Sequence, residues 1–285
     1  MRIKNPTLKL LVVLTVAILT VTYLLPMYVV LVTSLKTPAE ISERQYLLPS
    51  INLHFENFTQ ALGLTSGALL NSTIITFAVT LLAVLLGGLG GYYLSRSSSV
   101  LTKVLFILVG VALYLPYQVI LIPLVQIMAV TRLALTHFGL IGSYLILNVP
   151  LASVLMGTFF TSLPRELEEA AEVDGASRVQ IFFRVVSPVA LPAYASTAII
   201  VFTQVWNEFL LALTLSTPYT QTIQVKLAEV KGTFLALYNI QMAAALIALL
   251  VPLVFFLALG QYLSLIHISE PTRLLSISYA VFCLK

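Results

Sequence analysis

Charge is what this sequence has least of. Only 9% of its 285 residues are Asp, Glu, Lys or Arg, where a soluble globular chain carries roughly 25%. With 59% hydrophobic residues and a mean hydropathy of +1.02, this is an integral membrane protein. Cysteine is nearly missing. Cys283 stands alone, which excludes an intramolecular disulfide and argues against a cysteine metal cluster. His54, His137 and His267 lie far apart and read as loop or interface residues, so the candidate metal set is empty. The basic surplus is only 15 − 11 = +4. It is scattered among apolar runs, which excludes a nucleic-acid surface. No Gly-Lys-Ser/Thr phosphate loop, His-Glu-x-x-His site or Gly-x-Ser-x-Gly elbow occurs. The candidate catalytic set is therefore empty too, and the energy for any work must come from outside the chain or from a gradient.

What the sequence has in abundance is apolar runs. About 20 residues cross a bilayer as a helix. Runs over 10–32, 70–94, 104–130, 140–160, 193–215 and 240–263 predict six spans in an all-α chain. The first run follows a basic stretch, 1–9, but is longer than a signal-peptide core and has no Ala-x-Ala site after it, so it reads as an uncleaved span. Pro26 predicts a kink in it. Gly87 and Gly91, four apart, predict close helix packing. Pro116 and Pro123 predict a kinked or broken third span, and Pro150 a broken fourth. Freed carbonyls in lipid need partners, so the third span should face protein or water. Tyr114 and Gln118, one helical turn apart, are candidates to line a pathway or to bond neighbouring helices. Residues 36–69 read as a polar loop, either a lid or a partner contact.

One stretch, 163–192, is polar within this apolar chain. Glu166, Glu168, Glu169, Glu172 and Asp174 fall within nine positions, out of 11 acidic residues in all. Acidic side chains suit the opening turns of a helix. Ser162 is the expected cap and Pro164 an early helical position. Leu163, Leu167, Ala170, Ala171 and Asp174 trace a narrow side of small residues. Gly175 is placed to end the helix in a left-handed conformation. A second helix is expected from Ser177, with Ile181, Phe182, Val185 and Val186 on its apolar side. Pro188 and Pro192 are expected to break the run. Taken alone, this is a solvated acidic hairpin or a docking surface.

Glu169-Ala170-Ala171, then Gly175, then Pro188 thirteen positions on, resembles the EAA loop of ABC-importer permeases. The fuller Glu-Ala-Ala-x-x-Asp-Gly-Ala form, with Asp174, is similar to the carbohydrate branch and its second, MalG-like permease. Ser34 to Glu40 and Trp206-Asn207-Glu208-Phe209 also resemble that family, over about residues 8–263. Ser187 departs from the leucine the family has before the proline. The resemblance implies six transmembrane helices of the type I ABC importer (MetI-like) fold, with the core at 70–263. It implies that Glu169, Ala170, Ala171, Asp174, Gly175 and Pro188 form a cytoplasmic coupling loop. It implies as partners a cytoplasmic ABC ATPase dimer, a MalF-like second permease and an extracytoplasmic sugar-binding protein, in a bacterial inner membrane whose lipid surrounds the spans. ATP and Mg would then sit on the ATPase and no cofactor on this chain. Leu115-Pro116-Tyr117-Gln118 and the segment from Gln204 to Glu208 look closest to hexose (glucose/mannose-type) permeases.

Gln204, Trp206, Asn207 and Glu208 are the most polar group inside a span. At i, i+3 and i+4, Gln204, Asn207 and Glu208 are expected on one helical face. An ionised carboxylate at mid-bilayer costs roughly 2.5–3.5 kcal/mol or more, so Glu208 should face the bundle, water or a partner. Planar amides beside an aromatic ring suit a neutral sugar. An interhelical clamp fits the same residues equally. A proton-carrying Glu208 in a secondary transporter and a non-transporting scaffold are the rival classes, and both leave the acidic loop unexplained.

Six spans put 1–9 and 163–192 on one side. That side holds Arg2, Lys4, Lys9, Arg96, Lys103, Arg165, Arg178 and Arg184, eight basic residues, against five on the other (Lys36, Arg44, Arg132, Lys226, Lys231). Positive-inside bias puts the N-terminus and the acidic loop in the cytoplasm. Residues 264–285, interrupted by Glu270, Pro271 and Arg273, read as a non-native tail joined after the last span; a genuine partner-binding tail is the alternative.

Overall fold

The structure is a computed structural model that describes residues 6–43, 46–231 and 237–282, with side-chain surroundings up to residue 260. Helices α1 (Pro6–Ser34), α2 (Pro38–Ser42) and α3 (Glu56–Arg96) are followed by α4 (Val100–Ala112), a 3-10 turn (Tyr117–Ile120), α5 (Leu121–Val130) and α6 (His137–Ser162). Then come α7 (Glu166–Val173), α8 (Arg178–Ile181), a π turn (Phe182–Val186), α9 (Ser187–Val189), α10 (Leu191–Asn207), α11 (Leu210–Leu215), α12 (Ile223–Lys231) and α13 (Tyr238–Phe282). The chain is all-α, as expected.

Helices over 7–34, 56–96, 137–162 and 238–260 are each long and apolar enough to cross a membrane. Two bent pairs raise the count to six if each is one span: α4 with the 3-10 turn and α5, bent by 100°, and 178–189 with α10, bent by 76°. The sequence reading placed the fifth span differently, at 193–215. There α10 has 17 residues, about 26 Å at 1.5 Å per residue, and stops before α11.

Several local expectations change. Helix α3 starts at Glu56 and runs 41 residues, so the second half of the expected polar loop is helical. Pro26 and Pro150 lie inside unbroken helices: one lost N–H in a long apolar helix does not break it when flanking residues keep their bonds. The break in the third span is where the prolines put it, between Ala112 and Tyr117. Tyr114 then lies within that break and Gln118 in the 3-10 turn after it, not one turn apart on a helix. Residues 1–5 of the expected N-terminal segment and the side chains of the tail lie outside the described residues.

The chain divides into two compact units. In the first (1–69 and 225–250), Ala61, Ile240, Ala243 and Ala244 form a small buried core. Asn57 donates through Nδ2 to the Ser34 and Lys36 carbonyls, both at 2.9 Å, and accepts from Asn239 Nδ2 at 2.9 Å. Thr37 and Glu40 make a reciprocal capping box at α2. Hydrogen bonds from the Ser50 hydroxyl and the Thr37 amide hold the Glu40 carboxyl at about 2.

In the second unit (70–224 and 251–285), α6 is the central helix. Its Leu140, Tyr144 and Ala152 pack with Ile75 and Val79 of α3, Leu124 of α5 and Val201 of α10. Gly87 and Gly91 do what their spacing predicts. A Cβ on Gly87 would collide with Ala152, and one on Gly91 would lie 2.6 Å from the Ser153 carbonyl oxygen and 2.7 Å from the Gly157 amide. Only glycine lets α3 and α6 approach this closely.

Candidate functional site

The acidic stretch folds as a hairpin of α7 and the α8–α9 run. Arg165 precedes α7 with no side-chain cap, while Ser162 ends α6 and donates to the Phe159 carbonyl. The expected Ser162 cap is therefore replaced by Glu166, Glu168 and Glu169 in the first turn, which suit its positive end without an N-cap. At the other end Ala176 N donates to Ala171 O and Gly175 N to Glu172 O, both at 3.0 Å. This is a Schellman closure, and Gly175 has φ +82°, as its position predicts. A Cβ there would meet nothing within 4 Å, so the need for glycine is conformational and not steric. Ser177 and Gln180 form a capping box at α8.

Pro188 does not break this run. The Ser187 amide reaches back five residues to Phe182 O, and this π turn admits the proline. The chain turns instead at Ala190. Ile181, Phe182 and Val186 are buried against Met156 and Phe160 of α6, so one side of the hairpin is anchored. The other side is open: Glu169, Ala170, Asp174 and Gly175 are exposed, as are Val173 (89%) and Val179 (67%).

A clamp that the sequence reading missed holds the hairpin to the end of α3. Arg96 Nη2 lies 2.6 Å from Glu168 Oε1, and Arg96 Nε donates to the same oxygen at 2.7 Å. Tyr92 Oη donates to Glu168 Oε2 at 2.8 Å. Arg96 also reaches the Leu163 carbonyl at 3.3 Å. The pair is mostly buried, at 14% and 16% side-chain exposure. A hollow of about 650 Å³ opens beside it, bounded by Arg96, Arg165, Glu168, Glu172, Arg178 and Phe183 among others. The available signal was a basic residue closing an apolar span ahead of an acidic cluster, but helix spacing alone does not say which of five acids turns inward.

The intramembrane group is arranged differently from the expected single face. Helix α10 ends at Asn207, and Glu208 is extended (φ −70°, ψ 130°). Gln204 and Asn207 are exposed, and the Asn207 amide bonds the Thr203 carbonyl at 2.9 Å. Trp206 is buried on the opposite side, stacked on Phe202 at 5.8 Å. Glu208 meets Tyr117 and Tyr144, not Tyr114 or Gln118, which are exposed. Among the described residues no cluster of His, Cys, Asp and Glu is arranged to hold a metal ion.

Comparison with known proteins decides the family. The model of the family described as "Binding-protein-dependent transport system inner membrane component" matches residues 81–265. The chain belongs to this permease family. A glucose import system permease protein, GlcU, of Saccharolobus solfataricus is 32% identical over 257 residues, covering 87% of this chain and 90% of GlcU. A melibiose/raffinose/stachyose import permease protein, MelC, of Bacillus subtilis is 32% identical over 250 residues, covering 86% and 90%. The crystal structure of a bacterial ABC transporter involved in import of the acidic polysaccharide alginate matches with a TM-score of 0.79 at 19% identity, covering 92% of this chain and all of that one. That likeness shows the fold. The permease is thus a multi-pass membrane protein of the MetI-like architecture, and the hairpin and the Glu208 group both lie within the matched region.

Proposed function

We propose that this permease is one of two membrane subunits of an ATP-driven carbohydrate importer in a bacterial inner membrane, and that it couples to a separate ATPase pair through the hairpin at 163–192. The observation that carries the reading is the hairpin's two-sidedness. Its inner side is packed and clamped by Glu168, Arg96 and Tyr92; its outer side offers Ala170, Val173 and Val179 beside acidic Glu169 and Asp174. Glu169, Ala170, Ala171, Asp174, Gly175 and Pro188 are the coupling residues in this reading. ATP hydrolysis rests on the ATPase, which engages the open side, while a MalF-like partner completes the pathway. The sugar-import names of the relatives support carbohydrate as the cargo, delivered by an extracytoplasmic binding protein, with a hexose as the first candidate. Gln204, Trp206, Asn207, Tyr114 and Gln118 remain the candidate pathway or partner-permease residues, the exposed amides of Gln204 and Asn207 foremost, with Glu208 beside them at the end of α10. The basic-residue asymmetry supports a cytoplasmic N-terminus and hairpin. Residues 10–263 are assigned to the permease domain and 264–285 to a non-native tail, which the source genomic sequence tests directly: an unbroken native reading frame through 264–285 would refute it.

The test of coupling is Gly175→Val in the complex reconstituted with its ATPases. A β-branched residue is strained at positive φ and would reshape the docking surface. Coupled uptake should be abolished while the complex still assembles. Undiminished uptake by that variant would remove the coupling role.

A further inference from the structure

The third span is interrupted and α10 stops short of α11, and these two breaks meet at one carboxylate. Glu208 Oε1 accepts from Tyr117 Oη at 3.1 Å and from Leu211 N at 2.7 Å. Its Oε2 accepts from Tyr144 Oη at 2.9 Å and from Ala212 N at 3.1 Å. Tyr117 begins the 3-10 turn just after the break in the third span. Leu211 and Ala212 lie at the start of α11, just after the break that follows α10. Tyr144 is on the central helix α6 and only 1% exposed, so its hydroxyl is a fixed reference point.

An ionised carboxylate has about four acceptor positions. Four donors occupy them here, and among the described residues no cation pairs with Glu208. A sugar hydroxyl or an incoming proton would have to displace one of these donors. That would leave a partly buried amide N–H or tyrosine O–H without its partner, which is costly. We propose that Glu208 is a latch. It is a positioning residue that fixes the break in the third span against the break between α10 and α11, rather than a sugar ligand or a proton carrier. The Tyr117 arm is the one that yields: Tyr117 is half-exposed, whereas Tyr144 is fully packed. The latch gains its significance from the permease reading above, because only a gate that moves needs its two breaks tied together.

The test uses the full permease with its partner subunits in proteoliposomes, in a Cys283→Ser background. Spin labels at Val119 and Leu213, both exposed, report the separation of the two segments across the breaks. Glu208→Gln replaces one acceptor oxygen with an amide facing a backbone N–H. It should widen the distance distribution about twofold and lower the maximal rate of uptake about tenfold, with KM unchanged. If that variant fails to assemble, Tyr117→Phe decides: it removes a single hydroxyl and should widen the distribution and lower the rate about threefold, again at unchanged KM. Labelled glucose is the uptake probe. An unchanged distance distribution overturns the latch. So does a raised KM with an intact maximal rate, which would make Glu208 a ligand. If the wild-type complex moves no glucose, the substrate assignment fails, and the distance measurement still decides the latch.

Discussion

Two carboxylates in this permease are partly buried against neighbouring helices, and they are satisfied in opposite ways. Glu168, on the hairpin, is held by a cation and a tyrosine from α3. Glu208, just past the end of α10, is held by two tyrosines and two backbone amides. The difference follows the surroundings. A guanidinium at the end of a span can reach water through the open hollow beside it, so its desolvation is partial. A cation deep among apolar helices would add its own insertion cost, whereas tyrosine hydroxyls and amides freed by a helix break are already there and need acceptors. The first arrangement binds a surface element to a helix end through charge. The second uses one negative charge to close two helix breaks.

The comparison can be broken at its strongest point first. Arg96→Ala leaves Glu168 buried with only Tyr92 as partner. It should destabilise the hairpin by about 3 kcal/mol, seen as faster amide exchange over 163–192 and as ATPase turnover no longer tied to uptake. If exchange over the hairpin is unchanged, the clamp contributes nothing.

Tyr92→Phe and Tyr144→Phe each remove one donor to a carboxylate. Each should cost about 1.5–2 kcal/mol, measured as a lower unfolding temperature of the solubilised complex. Their effects should diverge in location: exchange rises in the hairpin for the first and around α11 for the second. The same regional pattern for both would mean that the two carboxylates are not separate devices.

Glu168→Gln against Arg96→Ala sharpens the first arrangement further. Removing both charges together should cost less than removing Arg96 alone, because no buried charge is stranded. A double variant as unstable as the sum of the singles would argue that packing, not charge, holds the hairpin.

The smallest effect belongs to a third carboxylate, half-exposed at the surface. Glu40 has its carboxyl depressed from 4.5 to about 2 by Ser50 and Thr37. A depressed acid contributes stability above its unfolded value that is lost as pH falls through the folded one. Local protection around α2 should therefore hold at pH 6 and decline between pH 4.5 and 2; exposure to solvent keeps the change small. Ser50→Ala should shift that decline to higher pH, as followed by the titration of Glu40 itself. A decline at the same pH in both proteins would remove Ser50 as the cause.

How much was readable in the chain depends on the range of the interaction. The closure at Gly175 and the cap at Ser177 were legible, because helix ends are set by residues three to six positions apart. The break near Pro116 and the glycine pair at 87 and 91 were legible for the same reason. The single polar face proposed for Gln204, Asn207 and Glu208 was not, since it assumed that the helix continues. The one local sign is Glu208's reach to the Leu211 and Ala212 amides, three and four positions on, and any acid before an apolar run could make it. The stop is favoured by Tyr117, 91 positions away, and Tyr144, 64 away.

By itself, the sequence determined that this chain lives in a membrane, crosses it with helices and carries one acidic hairpin. Those properties rest on hydrophobic content, helical period and short-range turn chemistry. Only the tertiary structure decided which acid faces inward, which proline bends a helix and which is absorbed, and what satisfies a charge among apolar helices. Each of these depends on donors brought from distant parts of the chain, and in a dry interior the position of a donor decides whether a polar group is tolerated at all.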